Sequence, residues 1–358
     1  MNKKENIERL IKSIQTIEGE SFKVNDHDLF EELKNSEGNK SSLAIKILSI
    51  FGGFLATLAF MGFLFIAGLY NSHIGMLFFG VGFIISAIWI NKIQDKLITD
   101  TLSISLFIIG FGLLITGLTM LNVSDSLIAI IVLIIAASSL LITQNFILSF
   151  ISILTINGCL LGLINILNLF NLIHLYIALN TIAVLYIFIN EAKIITQHNL
   201  LSRLYNPIRV GLIFSLLTGL ILLGNKYIIP ISDNFIWISS IVLFAAILFM
   251  VSKIINVLRV TSTQNKTLLY LLSSLILLPT VMSPPISGAL LIILLSFYIN
   301  YKTGFAIGIL SFVYFIGQFY YDLNFTLLTK SILLVSSGIL FVIFYLIINK
   351  KLNRNEKN

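Results

Sequence analysis

From Leu43 to Ile348 the chain alternates long apolar segments with short polar connections. A helix of about 20 residues crosses a hydrocarbon core of ~30 Å, and the apolar segments have about that length. They are apolar on every face, whereas the strands of a membrane barrel alternate apolar and polar residues. The pattern predicts an all-α, polytopic transmembrane helix bundle of about 12 spans, in a range of about 10–12. The predicted spans are 44–69, 74–91, 100–121, 125–143, 146–167, 171–190, 207–225, 233–255, 267–282, 285–300, 303–321 and 326–349.

The polar residues before the first span predict a separate region, a cytoplasmic amphipathic helical cap at residues 1–42. It contains an apolar stripe at helical spacing, formed by Ile7, Leu10, Ile11, Ile14 and Ile17, and a second short helix is predicted at 28–34. The first interpretation is a solvated or bundle-docked cap, and the second is a helix that binds a partner or the membrane surface. The bundle follows at 43–349, and a basic cytoplasmic tail at 350–358.

Composition and charge support a membrane protein and argue against nucleic-acid binding. Hydrophobic residues make up 57% of the chain and charged residues 11%, with a mean hydropathy of +0.99, which a soluble domain of this size could not bury. The net charge is +7, but residues 1–40 hold seven basic and nine acidic residues, so the basic excess lies between the apolar segments. Such a distribution is typical of orientation in a bilayer, not of a phosphate-binding face.

The basic residues predict which side of the membrane each connection occupies. With an even number of spans, almost all of them lie on one side, and the positive-inside rule places both termini there, in the cytoplasm. The connections on that side contain Lys92, Lys96, Lys193, Arg203, Lys253, Arg259, Lys266 and Lys302, with Arg209 at the edge of the seventh span. The opposite side has only Lys226 and, just inside the last helix, Lys330.

Glycines within the spans indicate close helix packing, because helices in lipid associate by close approach of their backbones. Gly110, Gly112 and Gly117 lie along the third span, and Gly304 and Gly308 form a GxxxG step. We interpret them as packing notches, with a substrate path beside flexible glycines as the alternative.

Two further features within the bundle are candidates for function. His174 is alone in its span, and we expect a hydrogen-bonded interior residue in preference to a base or ligand. Pro279, Pro284 and Pro285 interrupt an apolar stretch from 268 to 298. An ordinary turn between two short spans is the first interpretation, and a broken helix that forms a binding site is the second.

The last predicted hairpin carries the main candidate polar site. Lys330 lies one or two turns inside an otherwise uncharged helix, where a cation needs a partner or must reach the interface. Its side chain would lean toward Asp322, so a structural ion pair or snorkelling lysine is expected first, and an anion-binding or coupling lysine second. The neighbouring polar residues of the hairpin complete the candidate site: Tyr320, Tyr321, Thr326 and Ser331.

This hairpin also resembles a known family. The run FYYDLNFTLLTKSILLVSSG at 319–338 resembles the closing segment of a bacterial family known as domain of unknown function 4401. DTLSISLFIIGFGLLITGL at 100–118 and GGFLATLAFMGFLFIAG at 52–68 are similar to its third-helix and opening regions. The resemblance implies a multi-pass protein of the bacterial inner membrane and a neighbouring small membrane-anchored protein with a GDYxxLxY motif. It implies no activity.

The residues leave three classes of function to compare. HExxH, GxSxG and paired intramembrane carboxylates are missing from the sequence, so we expect no enzyme, metal site or cofactor. A transporter of a neutral or apolar small molecule is the alternative function, with the longest internal loop, 191–206, dividing the spans six and six. A membrane scaffold or partner subunit comes first, because it explains the scarcity of charge, the small loops and the charged cap together. The oligomeric state is not defined by the sequence.

Overall fold

A computed structural model of the protein describes residues 59–93, 97–143, 145–197, 199–225, 230–231, 235–258 and 262–322, with scattered helical positions at 52, 55–56 and between 328 and 342. The predicted cap at 1–42, the tail at 350–358 and parts of the spans at 44–69 and 326–349 lie outside the described residues. Every regular element in the described ranges is a helix, which confirms the all-α prediction.

The described helices follow one another with short connections. They are α1 (His73–Ile93), α2 (Leu97–Met120), α3 (Asp125–Ile142), α4 (Phe146–Ile166), α5 (Leu172–Ile189), α6 (Glu191–Gln197), α7 (Asn199–Gly224), α8 (Ile236–Val257), α9 (Thr263–Leu277), α10 (Pro284–Tyr298) and α11 (Lys302–Asp322). Two short 3-10 helices lie at Leu69–Asn71 and Leu278–Met282.

Eight helices in the described part of the chain are long and apolar enough to cross a membrane. These are α1 to α5, α7, α8 and α11, whose apolar segments contain 18–25 residues each. Helices α9 and α10 contain 15 residues each, fewer than the ~20 that a perpendicular crossing needs. The chain is therefore a helical membrane protein, while the total of about 12 crossings and the positions of the termini stay predictions.

The prediction of a loop at 191–206 is wrong, because two helices cover nearly all of this segment. Helix α6 begins at Glu191, and α7 begins at Asn199, so Pro207 lies inside α7 and not at its start. Proline removes one backbone N–H and disfavours helix at the preceding residue, so its place inside a helix is unfavourable by itself. Buried Leu204 and Tyr205 anchor the turn before Pro207, and this packing offsets the local cost of the proline.

The helices pack around two main apolar clusters. The amino-terminal cluster joins α1 to α4 and includes Phe107, Val132 and Leu148. The carboxy-terminal cluster is built mainly by α5, α7, α8, α10 and α11, with Ile177 and Leu243 at its centre. Helix α4 packs against both α3 and α7, so it connects the two halves of the bundle.

Glycines allow the closest helix contact in the amino-terminal half. A Cβ atom on Gly80 would lie 2.8 Å from the backbone nitrogen of Leu114, and one on Gly110 would lie 2.9 Å from the carbonyl oxygen of Gly80. The backbones of α1 and α2 therefore touch. Gly117 on α2 also faces α1, whereas nothing lies within 4 Å of a Cβ on Gly112, so the notch prediction was wrong for that residue.

The GxxxG step faces its neighbouring helix. A Cβ on Gly308 would meet Ile293 of α10 at 2.8 Å, and one on Gly304 would collide with the ring of Tyr301. Both residues act as packing notches, as predicted. Gly304 also allows the Tyr301 ring to lie against the start of α11, which positions that ring for the contacts described below.

Candidate functional site

The structure describes only one side of the predicted hairpin site. Asp322 is the last residue of α11, Tyr321 is 81% exposed, and the rings of Tyr320 and Tyr321 lie edge to face at 5.7 Å between centroids. Ser331 is helical and exposed. Lys330 and Thr326 lie outside the described residues, so the ion pair between Asp322 and Lys330 stays a prediction.

His174 is the third residue of α5 and is buried, with 1% of its surface exposed. Its Nδ1 atom lies 2.8 Å from the Ser239 hydroxyl near the start of α8. Its Nε2 atom is also buried and has no hydrogen-bond partner among the described residues. The imidazole thus joins two helices through one nitrogen and keeps the other available for a hydrogen bond.

The proline break lies at the same end of the bundle as His174. Pro279 is in the 3-10 helix, and Pro284 and Pro285 form the buried first turn of α10. The hydroxyl of Ser240 donates to the carbonyl of Val281 in the 3-10 helix at 2.6 Å. Adjacent serines on α8 therefore hold His174 on one side and the break on the other, an association that the sequence did not predict.

A second polar group, the mid-span cluster, lies within the apolar segments of α4, α5 and α7. The Tyr176 hydroxyl lies 3.1 Å from Asn157 Oδ1 and 3.1 Å from the carbonyl oxygen of Ser215. One helical turn along α5, Asn180 Oδ1 and Thr181 Oγ1 are buried without a partner among the described residues. The cluster was not predicted from the sequence. The four-residue spacing of Tyr176 and Asn180 in an apolar span was the available signal.

A third group, the arginine box, surrounds Arg209 of α7, which is 8% exposed. Its Nη2 donates to Asn206 Oδ1 at 2.7 Å, and its Nη1 lies 3.3 Å from Glu191 Oε1 and 3.4 Å from the Tyr205 hydroxyl. The Tyr301 ring covers the guanidinium, with 3.8 Å from Cζ to the ring centroid, and the Tyr205 ring lies at 4.9 Å. Cation–π contact and one ion pair compensate for burial of the charge.

The arginine box was not among the predicted site residues. In the sequence, Arg209 lies at the edge of a predicted span and was interpreted only as a charge that orients the chain in the membrane. Its neighbours come from three separate segments: the start of α6, the amino-terminal part of α7, and the turn between α10 and α11. Only the tertiary fold brings Glu191 and Tyr301 to the same guanidinium.

A fourth group ties the amino-terminal half together. Asp100 Oδ1 accepts hydrogen bonds from Asn91 Nδ2 at 3.2 Å and from Asn145 Nδ2 at 3.0 Å, so one carboxylate joins α1, α2 and the start of α4. Asn145 also caps α4, because its Oδ1 accepts from the backbone N–H of Ile147 at 2.8 Å. This group is structural in character, since each amide has a defined role at a helix end.

Where a polar group lies at the ends of helices, it connects ends that the charge pattern predicts to lie on the same side of the membrane. Asp100 and its partners, and likewise the arginine box, lie at ends predicted to be cytoplasmic, whereas His174, Ser239 and Val281 lie at ends predicted to face outward. The relative arrangement agrees with the predicted alternation of the spans.

Comparison with known families gives one match. A model of the family described as a domain of unknown function (DUF4401) matches residues 42–351, which contain every described helix. The chain belongs to this family. The match confirms the resemblance and extends it through the DUF4401 middle region, 145–300, which contains the mid-span cluster and all of the arginine box except Tyr301. No curated protein and no solved structure matches the chain.

The family description assigns no activity, so the chemistry of this DUF4401 protein has to come from its polar groups. Among the described residues, no group of three His, Cys, Asp or Glu side chains could hold a metal ion. The polar groups offer hydrogen-bond donors and acceptors in a mostly apolar interior, together with one buried cation. Such groups can bind or orient a polar molecule or join helices.

Proposed function

We propose that this protein is a scaffold or partner subunit of a small complex in the bacterial inner membrane. The observation that supports the proposal is the use of buried polar side chains to join helices. The hydroxyls of Ser139 and Ser152 lie 2.8 Å apart between α3 and α4, and Asp100 ties three helices. Closely packed helices provide a fixed surface for a partner, and the proposal assigns no enzymatic activity to the chain itself.

The proposed partner is the small membrane-anchored protein with a GDYxxLxY motif that the family resemblance implies. The proposed contact region is the cap, because its sequence predicts an apolar stripe along one helical face. In this proposal the bundle fixes the cap at the membrane surface, and the partner carries the chemistry.

Native mass spectrometry of the full chain, extracted with its surrounding membrane into polymer nanodiscs, tests the proposal. We expect the 40.0 kDa chain together with one additional polypeptide in a fixed ratio. Ile14→Ser on the apolar stripe should remove that polypeptide, whereas Lys12→Ser, outside the stripe, should retain it. A mass equal to the chain or its multiples, with no second polypeptide, would refute the scaffold proposal.

A transporter of a neutral or apolar small molecule is the alternative proposal. It is supported by the buried polar atoms that have no partner among the described residues, notably His174 Nε2, Asn180 Oδ1 and Thr181 Oγ1. All three lie on α5, and such atoms within a span suit a neutral ligand with hydroxyl or amide groups.

Thermal unfolding of the purified chain with a panel of neutral solutes distinguishes the two proposals. Transport predicts a solute-induced rise in Tm that Thr181→Val abolishes and Ser152→Ala retains. No rise with any solute, together with a stable second polypeptide, would favour the scaffold. A rise that Thr181→Val leaves unchanged would contradict a solute site at Asn180 and Thr181.

A further inference from the structure

One edge of the Arg209 guanidinium has spare hydrogen-bonding capacity. The Nε and Nη2 atoms form an edge that matches two oxygens of a phosphate or carboxylate group. Asn206 Oδ1 occupies Nη2, while the buried Nε has no partner among the described residues. A buried donor without an acceptor is costly, so an additional acceptor at this edge would stabilise the protein.

The contact with Glu191 does not saturate the guanidinium. A single carboxylate oxygen approaches Nη1 at 3.3 Å, longer than the 2.7–2.9 Å typical of charge-assisted hydrogen bonds. The Glu191 side chain is 33% exposed, and Asn206 is exposed as well. Two polar side chains with exposed surface, Glu191 and Asn206, therefore contact the Nη atoms, and the Tyr301 ring covers a face of the guanidinium.

The amino-terminal end of α7 extends toward the level of lipid headgroups. With 26 residues, α7 is about 39 Å long, whereas the hydrocarbon core is ~30 Å thick, so its first turns extend beyond the core. Arg209 is the eleventh residue of α7, roughly 6 Å inside this boundary, and its long side chain leans toward the amino-terminal end of the helix. This direction brings the guanidinium toward the headgroup level, where lipid phosphates lie.

The surrounding charges favour an anion. Lys193 lies two residues after Glu191, Lys302 directly follows Tyr301, and both lysines are exposed. With Arg209 they give three positive charges against the one negative charge of Glu191. Basic pockets between spans on the cytoplasmic side are typical binding sites for anionic lipid headgroups.

We propose that the arginine box binds one phosphate group of an anionic phospholipid. Two phosphate oxygens accept hydrogen bonds from Nε and Nη2 of Arg209, after the exposed side chain of Asn206 turns away. Lys193 and Lys302 add long-range attraction, and the Tyr301 ring keeps the guanidinium plane in place. The site is independent of the scaffold proposal, because it needs neither the cap nor a protein partner.

Native mass spectrometry of the full chain in detergent, titrated with phosphatidylglycerol or phosphatidylcholine, measures this preference. The wild-type protein should retain one phosphatidylglycerol molecule with about tenfold higher affinity than phosphatidylcholine. Arg209→Lys keeps the charge and a partner for Glu191 but loses the two-donor edge, so the preference should disappear. Lys253→Gln is the matched control. Lys253 lies near the end of α8 that is predicted to be cytoplasmic, as the arginine box is, but outside the box. Its substitution removes one positive charge and should leave the preference unchanged.

Three outcomes would overturn the proposal. Retention of the preference in Arg209→Lys would show that the guanidinium edge is not used, and an equal loss in Lys253→Gln would indicate non-specific attraction. Absence of a saturable phosphatidylglycerol adduct in the wild type would mean that water satisfies Nε. A separate titration uses inorganic phosphate. Binding of phosphate alone with the same affinity as phosphatidylglycerol would reassign the ligand to a soluble phosphate. Far-UV circular dichroism confirms that each variant is folded.

Discussion

The two halves of the bundle use buried polar atoms differently. In α1 to α4, the buried side-chain donors and acceptors of the described residues all have hydrogen-bond partners. The described residues from α5 onward contain six buried polar atoms that have none. These are His174 Nε2, Asn180 Oδ1, Thr181 Oγ1, Arg209 Nε, Ser296 Oγ and Gln318 Oε1.

This difference separates two kinds of buried polar atom. Atoms with hydrogen-bond partners join helices, which we call structural polarity, and atoms without a partner among the described residues can bind a ligand, which we call available polarity. A buried polar atom without a partner costs about 1–3 kcal/mol, so such atoms oppose stability unless a ligand or partner completes them. The amino-terminal half carries no such cost in its described residues and is built for packing. We infer that the carboxy-terminal half contains the binding groups of the protein. The following predictions test that division, beginning with the largest expected effect.

The close contact between α1 and α2 should be the most sensitive point of the amino-terminal half. Gly80→Leu places a side chain against the backbone of Leu114, which cannot rotate away, and should destabilise the protein by more than about 3 kcal/mol. Gly112→Leu is the matched control, because a Cβ there meets nothing within 4 Å. Unfolding in mixed micelles, followed by circular dichroism, measures both. Equal effects of the two substitutions would contradict the packing described for this half.

The ion pair should be the most sensitive polar contact of the carboxy-terminal half. Arg209→Leu leaves the Glu191 carboxylate without its cation and should reduce the free energy of unfolding by about 2–3 kcal/mol, since Glu191 is partly exposed. Replacing both residues by leucine should recover part of that loss. The same unfolding assay measures the single and double variants. A double variant no more stable than the single one would show that the charge of Glu191 does not matter.

The Asp100 carboxylate should be the main polar tie of the amino-terminal half. Asp100→Ala removes the acceptor of two amide donors and should cost about 2 kcal/mol, while Asp100→Asn keeps one acceptor oxygen and should cost less. The free energy of unfolding in micelles measures the difference. Two variants as stable as wild type would mean that the tie contributes nothing to the packing of α1, α2 and α4.

Helix positions followed from the sequence because apolar run length is a local property. The predicted spans at 125–143 and 146–167 correspond to α3 and α4 to within one residue at each end. The start of α7 differed most, because the span was predicted from residue 207 and the helix begins at Asn199, with Pro207 in its interior. Local rules therefore placed most helices and failed where tertiary contacts stabilise an interior proline.

The polar groups could not be predicted in the same way, because they depend on which helices are neighbours. His174 and Ser239 are 65 residues apart, and nothing in either span specifies the other. Arg209 was recognised as a charge, but its contact with Tyr301 requires the fold of the entire carboxy-terminal half. Periodicity identifies one face of a helix and not its partner, so sequence analysis identified His174 as a candidate and missed the arginine box and the mid-span cluster.

Two conservative substitutions compare structural and available polarity most directly. Ser152→Ala removes the hydrogen bond to Ser139 between α3 and α4 and should lower the free energy of unfolding by about 0.5–1 kcal/mol. Thr181→Val removes an unpartnered buried hydroxyl without changing the shape of the side chain, and should raise the free energy of unfolding by about 1 kcal/mol. Measured side by side in the same micelles without ligand, the two changes should have opposite signs. Destabilisation by both would contradict the division between the two halves.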